Sequence, residues 1–223
     1  MKSFSKIKAL FANKALLDQA LTHKSWVNEN KNIRRTNERL EFLGDAVLEY
    51  VVSAEIFKKF PNEEEGFLTA LRASLVNTTN LATHAQSAGI GDEVYLSKGE
   101  EDGGGRKNIS ILADTVEAII GALFIDKGIS VVYQFITEEI LSDVEEKIKK
   151  PLKDPKSRLQ EFIQTNGKSS PKYKVVDEKG PDHNKEFTVE VIVDGKPLSQ
   201  GQGKSKSEAE QNAAELALKK KLP

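Results

Sequence analysis

The 223-residue chain contains no cysteine. This absence excludes disulfide bonds, thiolate zinc sites, iron–sulfur clusters and thiol nucleophiles. It also fits a reducing compartment, so we expect a cytoplasmic location. The longest stretch without Asp, Glu, Lys or Arg, residues 73–91, is rich in Asn, Thr, Ser and Gln. Because a membrane-spanning helix needs about 20 mostly apolar residues, and four lysines interrupt residues 1–14, we expect neither a membrane span nor a signal peptide.

The charge is unevenly distributed along the chain. Charged residues make up 30% and hydrophobic residues 38%, which is the balance of a soluble globular protein. The net charge is −1, but residues 151–223 hold 14 Lys and Arg against 11 Asp and Glu, a balance of +3, and residues 1–150 have a balance of −4. An acidic first part and a basic second part indicate two domains with different tasks.

Residues 1–150 are predicted to form an all-α domain. Apolar residues recur every three or four positions, and Gly and Pro fall between these periodic segments. We predict long helices over 37–60, 68–86, 110–126 and 130–149. The glycine-rich segment KGEEDGGGRK, residues 98–107, lacks the Lys-Ser or Lys-Thr pair of a phosphate-binding P-loop, so we interpret it as a flexible loop.

A linker is predicted at residues 151–154, and a small α-β-β-β-α domain at 155–223. A helix over 155–166 ends at Gly167, and strands over 172–178 and 186–193 follow. The Asp194-Gly195 pair is typical of a hairpin turn because both positions tolerate positive φ, and it introduces a third strand. The last helix is predicted over 205–221. The fold class expected for the whole chain is therefore mostly α.

The segment NERLEFLGDAVLEYVV, residues 37–52, carries four carboxylates on one stripe of a helix with 3.6 residues per turn: Glu38, Glu41, Asp45 and Glu49. Apolar residues flank this stripe on both sides and fill the back of the helix, so a plain solvated face explains it poorly. A helix that is apolar nearly all round is expected to be buried. Buried carboxylates need a compensating partner, because an isolated buried charge is energetically costly.

The segment SILADTVEAIIGALFI, residues 110–125, repeats this pattern. Its only charged residues, Asp114 and Glu117, are three apart and share one face of an otherwise apolar helix. A helix N-terminal effect explains Asp114 but explains Glu117 poorly. Two such helices point to a shared cation, and oxygen ligands without Cys or a nearby His favour Mg²⁺, Mn²⁺ or Ca²⁺. A di-iron bundle needs Glu-x-x-His, which the chain lacks, whereas Mg²⁺ with few carboxylates is typical of phosphodiester chemistry.

Four segments in series resemble the ribonuclease III family. NERLEFLGDAVL (37–48) is similar to the family's signature helix, and ALTHKSW (20–26), EEGFLTALRASLVN (64–77) and GGRKNISILADTVEAIIGALF (104–124) accompany it. The basic part, with SRLQEFIQ, GPDHNKEF and GQGKSKSEAEQNAA, resembles a double-stranded-RNA-binding domain. Together these segments cover essentially the whole chain, with the endonuclease domain at 1–150 and the RNA-binding domain at 155–223.

The resemblance implies a cytoplasmic, homodimeric endoribonuclease that cleaves double-stranded RNA and leaves 5′-phosphate and 3′-hydroxyl ends. It implies Mg²⁺ as cofactor, with Mn²⁺ able to substitute, no small-molecule cofactor, and processing of ribosomal RNA precursors and other structured transcripts. Two alternatives are a regulator that binds RNA duplexes without cutting them and a metal-dependent helical enzyme acting on a small molecule. The complete set of carboxylates argues against the non-cutting regulator, and the basic second domain argues against the small-molecule enzyme.

The resemblance also assigns roles to particular residues. The matching positions are Glu41, Asp114 and Glu117 for the metal ligands, Asp45 and Glu117 for catalysis, Glu38 and Glu65 for secondary acids of the cleavage site, and Phe42 for a dimer contact. For Phe42, ordinary packing within one subunit is the alternative.

The second domain is expected to supply RNA contacts. A-form RNA exposes a wide minor groove lined by 2′-hydroxyls, and proteins recognise it mostly by shape over about 16 base pairs. Gln160 and Gln164, four apart on one helix face, are expected to reach one minor groove, and His183, between two strands, the next. Lys204 and Lys206 stand at the start of the last helix, where backbone N–H groups and the helix dipole favour phosphate.

Overall fold

A computed structural model of the chain describes residues 3–142, 144–149, 151–152, 154–181 and 185–220. The chain divides into two compact units, Met1–Lys150 and Pro151–Pro223. The described part of the first unit is helical apart from one isolated bridge between Thr22 and Tyr95, and the second unit is an α-β-β-β-α fold. The predicted fold class is confirmed.

The first unit is built from helices of very different length. They are α1 (Phe4–Ala9), α2 (Lys14–Ala20), α3 (Lys24–Glu29), α4 (Glu38–Lys59), α5 (Glu65–Val76), α6 (Thr78–Ala88), α7 (Lys98–Asp102), α8 (Ile109–Lys127), α9 (Ile129–Glu139) and α10 (Val144–Lys147), with 3₁₀ turns at Ile90–Glu93 and Gly105–Lys107. Within the part of the chain that the structure describes, none of these helices has both the length and the apolar character needed to cross a bilayer.

Helices α4 and α8 cross in the middle of the first unit with their backbones in contact. A Cβ atom placed on Gly121 of α8 would lie 2.1 Å from the carbonyl oxygen of Leu40 on α4. Every residue of α8 from Ile111 to Leu123 is buried except Asp114 and Glu117, which are half-buried. The two helices predicted to carry paired carboxylates are therefore direct neighbours.

Two of the predicted long helices are divided in the structure. The helix predicted over 68–86 is wrong, because Asn77 has an extended backbone (φ −68°, ψ 156°) between α5 and α6. Its side-chain oxygen accepts a hydrogen bond from the Asn80 N–H at 2.8 Å and caps α6. The helix predicted over 130–149 becomes α9 and α10. Apolar spacing continues across the first break, since the buried residues Leu75 and Ala82 are seven positions, or about two helical turns, apart. Periodicity alone therefore did not reveal it.

The interpretation of the glycine-rich segment 98–107 as a flexible loop is wrong, because most of its residues form a short helix and a 3₁₀ turn. Ser97 caps the short helix α7, and a 3₁₀ turn follows. The Arg106 side chain donates hydrogen bonds from Nη1 to the carbonyl oxygens of Gly91, Asp92 and Val94 at 3.1, 2.9 and 3.2 Å. These bonds tie the segment to the preceding 3₁₀ turn.

Helix α4 is not buried all round, and this part of the prediction was wrong. Leu48, Val51 and Val52 are fully buried against the rest of the unit. On another face, Phe42 and Phe57 are 81% and 70% exposed. The wheel pattern could not separate the two faces, because both are apolar.

The second unit places two helices on one face of a three-stranded antiparallel sheet. Its elements are α11 (Pro155–Thr165), β1 (Lys172–Lys179), β2 (Glu186–Val193), β3 (Lys196–Gly203) and α12 (Lys206–Lys219), with strand order β1-β2-β3. The predicted hairpin is confirmed, since Asp194 and Gly195 have φ values of 51° and 77°. Leu159, Ile163 and Val191 lie in the core beside the small residues of α12, which bring that helix close to the sheet.

Candidate metal centre and RNA-binding surface

Three carboxylates from α4 and α8 meet where the two helices cross. Glu41, Asp114 and Glu117 each offer an oxygen atom, and these atoms lie within 4.8 Å of one another. All three side chains are half-buried, so the group is partly shielded from water and still accessible. Three hard oxygen donors at this spacing fit a divalent cation such as Mg²⁺ or Mn²⁺.

The electrostatics of this group also favour a cation. The pKa of Glu117 is raised to about 8, mainly by burial of its side chain. The negative charges of Asp45, Asp114 and Glu41 raise this pKa further. Burial likewise raises the pKa of Glu41 and the pKa of Asp114. Carboxylates that repel one another in a partly desolvated place are stabilised by a shared cation. We call Glu41, Asp114 and Glu117 the carboxylate cluster.

Two further acids border the carboxylate cluster. Asp45 is exposed, and its charge has the largest electrostatic effect on the pKa of Glu117. The charge of Glu38 helps raise the pKa of Glu41. The Glu38 carboxylate accepts a hydrogen bond from Thr36 Oγ1 at 3.0 Å, which holds it at the start of α4. The structure thus places both residues beside the cluster.

Glu65 and Glu49 lie elsewhere. Glu65 is the first residue of α5, and its carboxylate accepts a hydrogen bond from Thr69 Oγ1 at 2.9 Å. The metal-ligand group found among the described residues does not include it. Glu49, the last acid of the predicted stripe, forms an ion pair with Arg72 at 3.4 Å. Helical periodicity gave no information on these contacts, because they come from α5.

Two residues beside the cluster had no role in the sequence prediction. His23 caps α3, and its Nδ1 accepts a hydrogen bond from the Ser25 N–H at 3.3 Å. Burial is the main cause that lowers the pKa of His23. The Lys24 ammonium lies 3.8 Å from a carboxylate oxygen of Glu38. Its charge partly offsets the rise that burial causes in the pKa of Glu41 and in the pKa of Asp114. Both residues belong to the segment ALTHKSW, which contributed to the family resemblance, but the resemblance assigned no role to either of them.

Phe42 follows Glu41 directly and points away from its own subunit. Its 81% exposure contradicts the alternative of packing in the core of one subunit. Tyr50 and Phe57 lie eight and fifteen residues further along α4 and are 61% and 70% exposed. The three aromatic side chains form what we call the aromatic stripe of α4.

The predicted RNA contacts of the second unit lie at its surface. Gln160 and Gln164 are exposed on α11, and the Gln164 side chain donates a hydrogen bond to Ser170 Oγ at 3.3 Å. Lys204 and Lys206 are exposed around the start of α12, and the Lys206 ammonium lies 5.6 Å from the centre of the Phe187 ring. His183 lies outside the described residues.

The start of α12 is closed by two reciprocal hydrogen bonds that resemble a capping box. Ser205 Oγ accepts a hydrogen bond from the Glu208 N–H at 3.1 Å, and the Glu208 carboxylate accepts one from the Lys204 N–H at 2.7 Å. The Lys204 side chain also lines a polar cleft with Lys179 and Lys185. Sequence reasoning missed these two lysines, because only the folded sheet brings the ends of β1 and β2 next to the start of α12.

The fold and the site together define a class of protein: a helical domain with a carboxylate cluster, followed by an α-β-β-β-α domain with a basic edge. The family model described as ribonuclease-III-like matches residues 13–144, and that of the double-stranded RNA binding motif matches residues 155–221. The chain belongs to the ribonuclease III family.

Individual relatives cover nearly the whole chain. Ribonuclease 3 of Anoxybacillus flavithermus is 50% identical over 211 residues, which are 94% of this chain and 89% of that protein. Ribonuclease 3 of a Geobacillus species is 49% identical over 216 residues, 96% of this chain and 88% of that protein. Among solved structures, the nuclease domain of ribonuclease III from Campylobacter jejuni is 42% identical, with a TM-score of 0.57 over 63% of this chain and 97% of that domain.

Proposed function

We propose that this member of the ribonuclease III family is an endoribonuclease that cleaves double-stranded RNA by Mg²⁺-assisted hydrolysis, giving 5′-phosphate and 3′-hydroxyl ends. One observation carries the proposal: three carboxylates from two crossed helices lie within 4.8 Å of one another in a chain that also has a double-stranded RNA binding motif. Residues 1–150 cut, residues 155–223 hold the duplex, and residues 151–154 link them. The substrates are ribosomal RNA precursors and other structured transcripts in the cytoplasm.

The carboxylate cluster is the proposed metal site. Glu41, Asp114 and Glu117 would hold Mg²⁺, and Mn²⁺ would substitute because it accepts the same oxygen donors. A divalent cation held there would supply a more acidic water and would stabilise negative charge on the leaving oxygen. Because Glu117 must be ionised to act as a ligand, its raised pKa makes metal affinity increase with pH.

The chain's own acids orient the reactants. Asp45, exposed beside Glu117, accepts a hydrogen bond from the attacking water and directs it towards phosphorus. Glu117 shares this catalytic role as well as binding the metal. Glu38 borders the cluster as a secondary acid. Glu65 lies on α5 outside the cluster. Its proposed role as a secondary acid therefore rests on the family resemblance alone.

The protein is proposed to act as a homodimer. The aromatic stripe of α4 exposes Phe42, Tyr50 and Phe57, and contiguous exposed apolar surface marks interaction sites. In ribonuclease III from Campylobacter jejuni, a region of the nuclease domain is involved in dimer formation. We assign the stripe to the dimer interface, with Phe42 packing into the partner subunit. Each dimer then carries two carboxylate clusters.

The second domain binds the RNA duplex by its shape. Gln160 and Gln164 are exposed on one face of α11, where their amides reach 2′-hydroxyls of a minor groove, and His183 reaches the next groove. Lys204 and Lys206 contact phosphates of the intervening major groove. These contacts position the duplex without reading its sequence.

The proposal is tested with a perfectly paired RNA duplex and its separate strands, each incubated with the protein in Mg²⁺ and in chelator. We expect discrete products with 5′-phosphates from the duplex in Mg²⁺ only. A duplex that is bound but intact in both conditions would instead favour the non-cutting regulator. A duplex that is neither bound nor cut would instead favour a metal-dependent enzyme that acts on a small molecule.

A further inference from the structure

Lys24 is a cation at the edge of the carboxylate cluster. Its ammonium lies 3.8 Å from the nearer Glu38 oxygen, and its charge acts on both Glu41 and Asp114. The Lys24 side chain is 64% exposed, so the ammonium remains accessible from solvent. An exposed ion pair of this kind contributes little to folding stability.

The backbone at Lys24 is held firmly in place. Lys24 is the first residue of α3 and follows the N-cap His23. The His23 ring contacts Ser25 Oγ at 2.8 Å, and that oxygen accepts a hydrogen bond from the Ser97 N–H at 3.0 Å. The start of α3 is thereby attached to the segment before α7. The backbone that carries Lys24 is therefore fixed, and from it the ammonium reaches Glu38 at the border of the cluster.

The surroundings of the cluster make a cation useful to an RNA substrate. The cluster and the two acids that border it carry five carboxyl groups, which repel a phosphodiester that approaches them. A lysine ammonium binds phosphate oxygens as a compact point charge. We propose that Lys24 is a substrate-binding residue, whose ammonium contacts a phosphate of the RNA strand lying over the carboxylate cluster. This inference rests on the proposed function.

The same charge has opposite effects on the two ligands of the site. A cation beside the cluster attracts RNA phosphate and repels Mg²⁺. Replacing Lys24 by a neutral residue therefore weakens RNA binding and leaves metal binding unchanged or stronger. If Lys24 merely supported the ionised state of the carboxylates, its replacement would weaken metal binding. The direction of the change in metal affinity therefore separates the two roles.

The test compares Lys24→Met, Lys24→Gln and Lys24→Arg in the full-length protein. Lys127→Met is the matched control, because Lys127 is exposed and lies 13 positions beyond Asp114 on α8, about 20 Å along the helix axis. Steady-state cleavage of a paired duplex is measured at saturating Mg²⁺ over a series of salt concentrations. The Mg²⁺ concentration that gives half-maximal rate is measured separately, and thermal melting verifies that each variant is folded.

For the two neutral variants we expect KM to rise about tenfold with kcat nearly unchanged, and the salt dependence of log KM to fall by roughly one unit of slope, as for one lost phosphate contact. The KM of Lys24→Arg should be close to that of the wild type, and Lys127→Met should have the wild-type KM and salt dependence. Wild-type KM and salt slope in both neutral variants would overturn the inference, as would a higher Mg²⁺ requirement with unchanged KM. If the wild type does not cut the duplex at all, the proposed function itself is wrong.

Discussion

A Cβ atom on Gly44 of α4 would lie 1.7 Å from the carbonyl oxygen of Glu117 on α8. No side chain fits at that distance, so glycine is what allows the two helix backbones to touch. Glu41 lies one turn before Gly44, and Glu117 supplies both the touching carbonyl and a carboxylate of the cluster. The metal site therefore depends on the absence of a side chain as much as on the carboxylates.

Gly44→Ala should separate α4 and α8 and disturb the carboxylate cluster. We expect a loss of about 1–3 kcal/mol in the free energy of unfolding, a higher Mg²⁺ requirement and much slower cleavage. Gly66→Ala on α5 is the matched control, because nothing lies within 4 Å of a Cβ there. Thermal melting measures the first effect, and cleavage rates over a series of Mg²⁺ concentrations measure the other two. A Gly44→Ala variant with wild-type melting and Mg²⁺ requirement would show that the helices are not held this closely.

The carboxylates of the cluster could be found from the sequence because Asp114 and Glu117 are the only charged residues in the segment 110–125. Helical spacing then placed them on one face. The helix crossing, the separation of Glu49 from the other acids and the position of Lys24 could not be derived, since each depends on which helices are neighbours. The same limit explains the missed break at Asn77, where apolar spacing continues through the capping residue.

The raised pKa of Glu117 predicts a pH dependence of stability in the absence of divalent cations. Its pKa rises from 4.5 to about 8 on folding, so the folded protein retains a proton that the unfolded chain has released. The contribution of Glu117 to stability is therefore greatest below pH 4.5 and decreases as pH rises towards 8. Melting in chelator should show the wild type losing stability relative to Glu117→Gln between pH 5 and 8. A constant difference between the two proteins would contradict the raised pKa.

Lys204 and Lys206 are expected to bind phosphate through their side chains, since the backbone N–H of Lys204 is already bonded to Glu208. Replacing both lysines by Ala should weaken duplex binding in chelator and reduce the salt slope by roughly two units. Replacing Lys172 and Lys196 by Ala provides the control. Lys196 begins β3 and Lys204 directly follows its last residue, so these two lysines are eight residues, or roughly 26 Å, apart along the strand. Equal affinity and slope for the two double variants would refute this assignment.

The aromatic stripe of α4 predicts that the dimer is sensitive to charge at Phe42. Phe42→Glu would bury a carboxylate in an apolar interface, so sedimentation should show monomers where the wild type forms dimers. Leu216→Glu is the control, because Leu216 is also exposed, at 44%, but belongs to α12 of the second unit. A Phe42→Glu protein that remains dimeric would remove the stripe from the interface.

Glu117 tests the central claim most directly, because it is assigned both metal binding and catalysis. Glu117→Gln removes one carboxylate of the cluster and leaves the RNA-binding domain unchanged, and Glu93→Gln makes the same change at an exposed position of a 3₁₀ turn. The measurement is the cleavage rate of a paired RNA duplex in Mg²⁺, together with its affinity in chelator. We expect Glu117→Gln to bind the duplex as the wild type does and to cut it at least about 100-fold more slowly, with Glu93→Gln unaffected. Normal cleavage by Glu117→Gln would show that the carboxylate cluster is not where the RNA is cut.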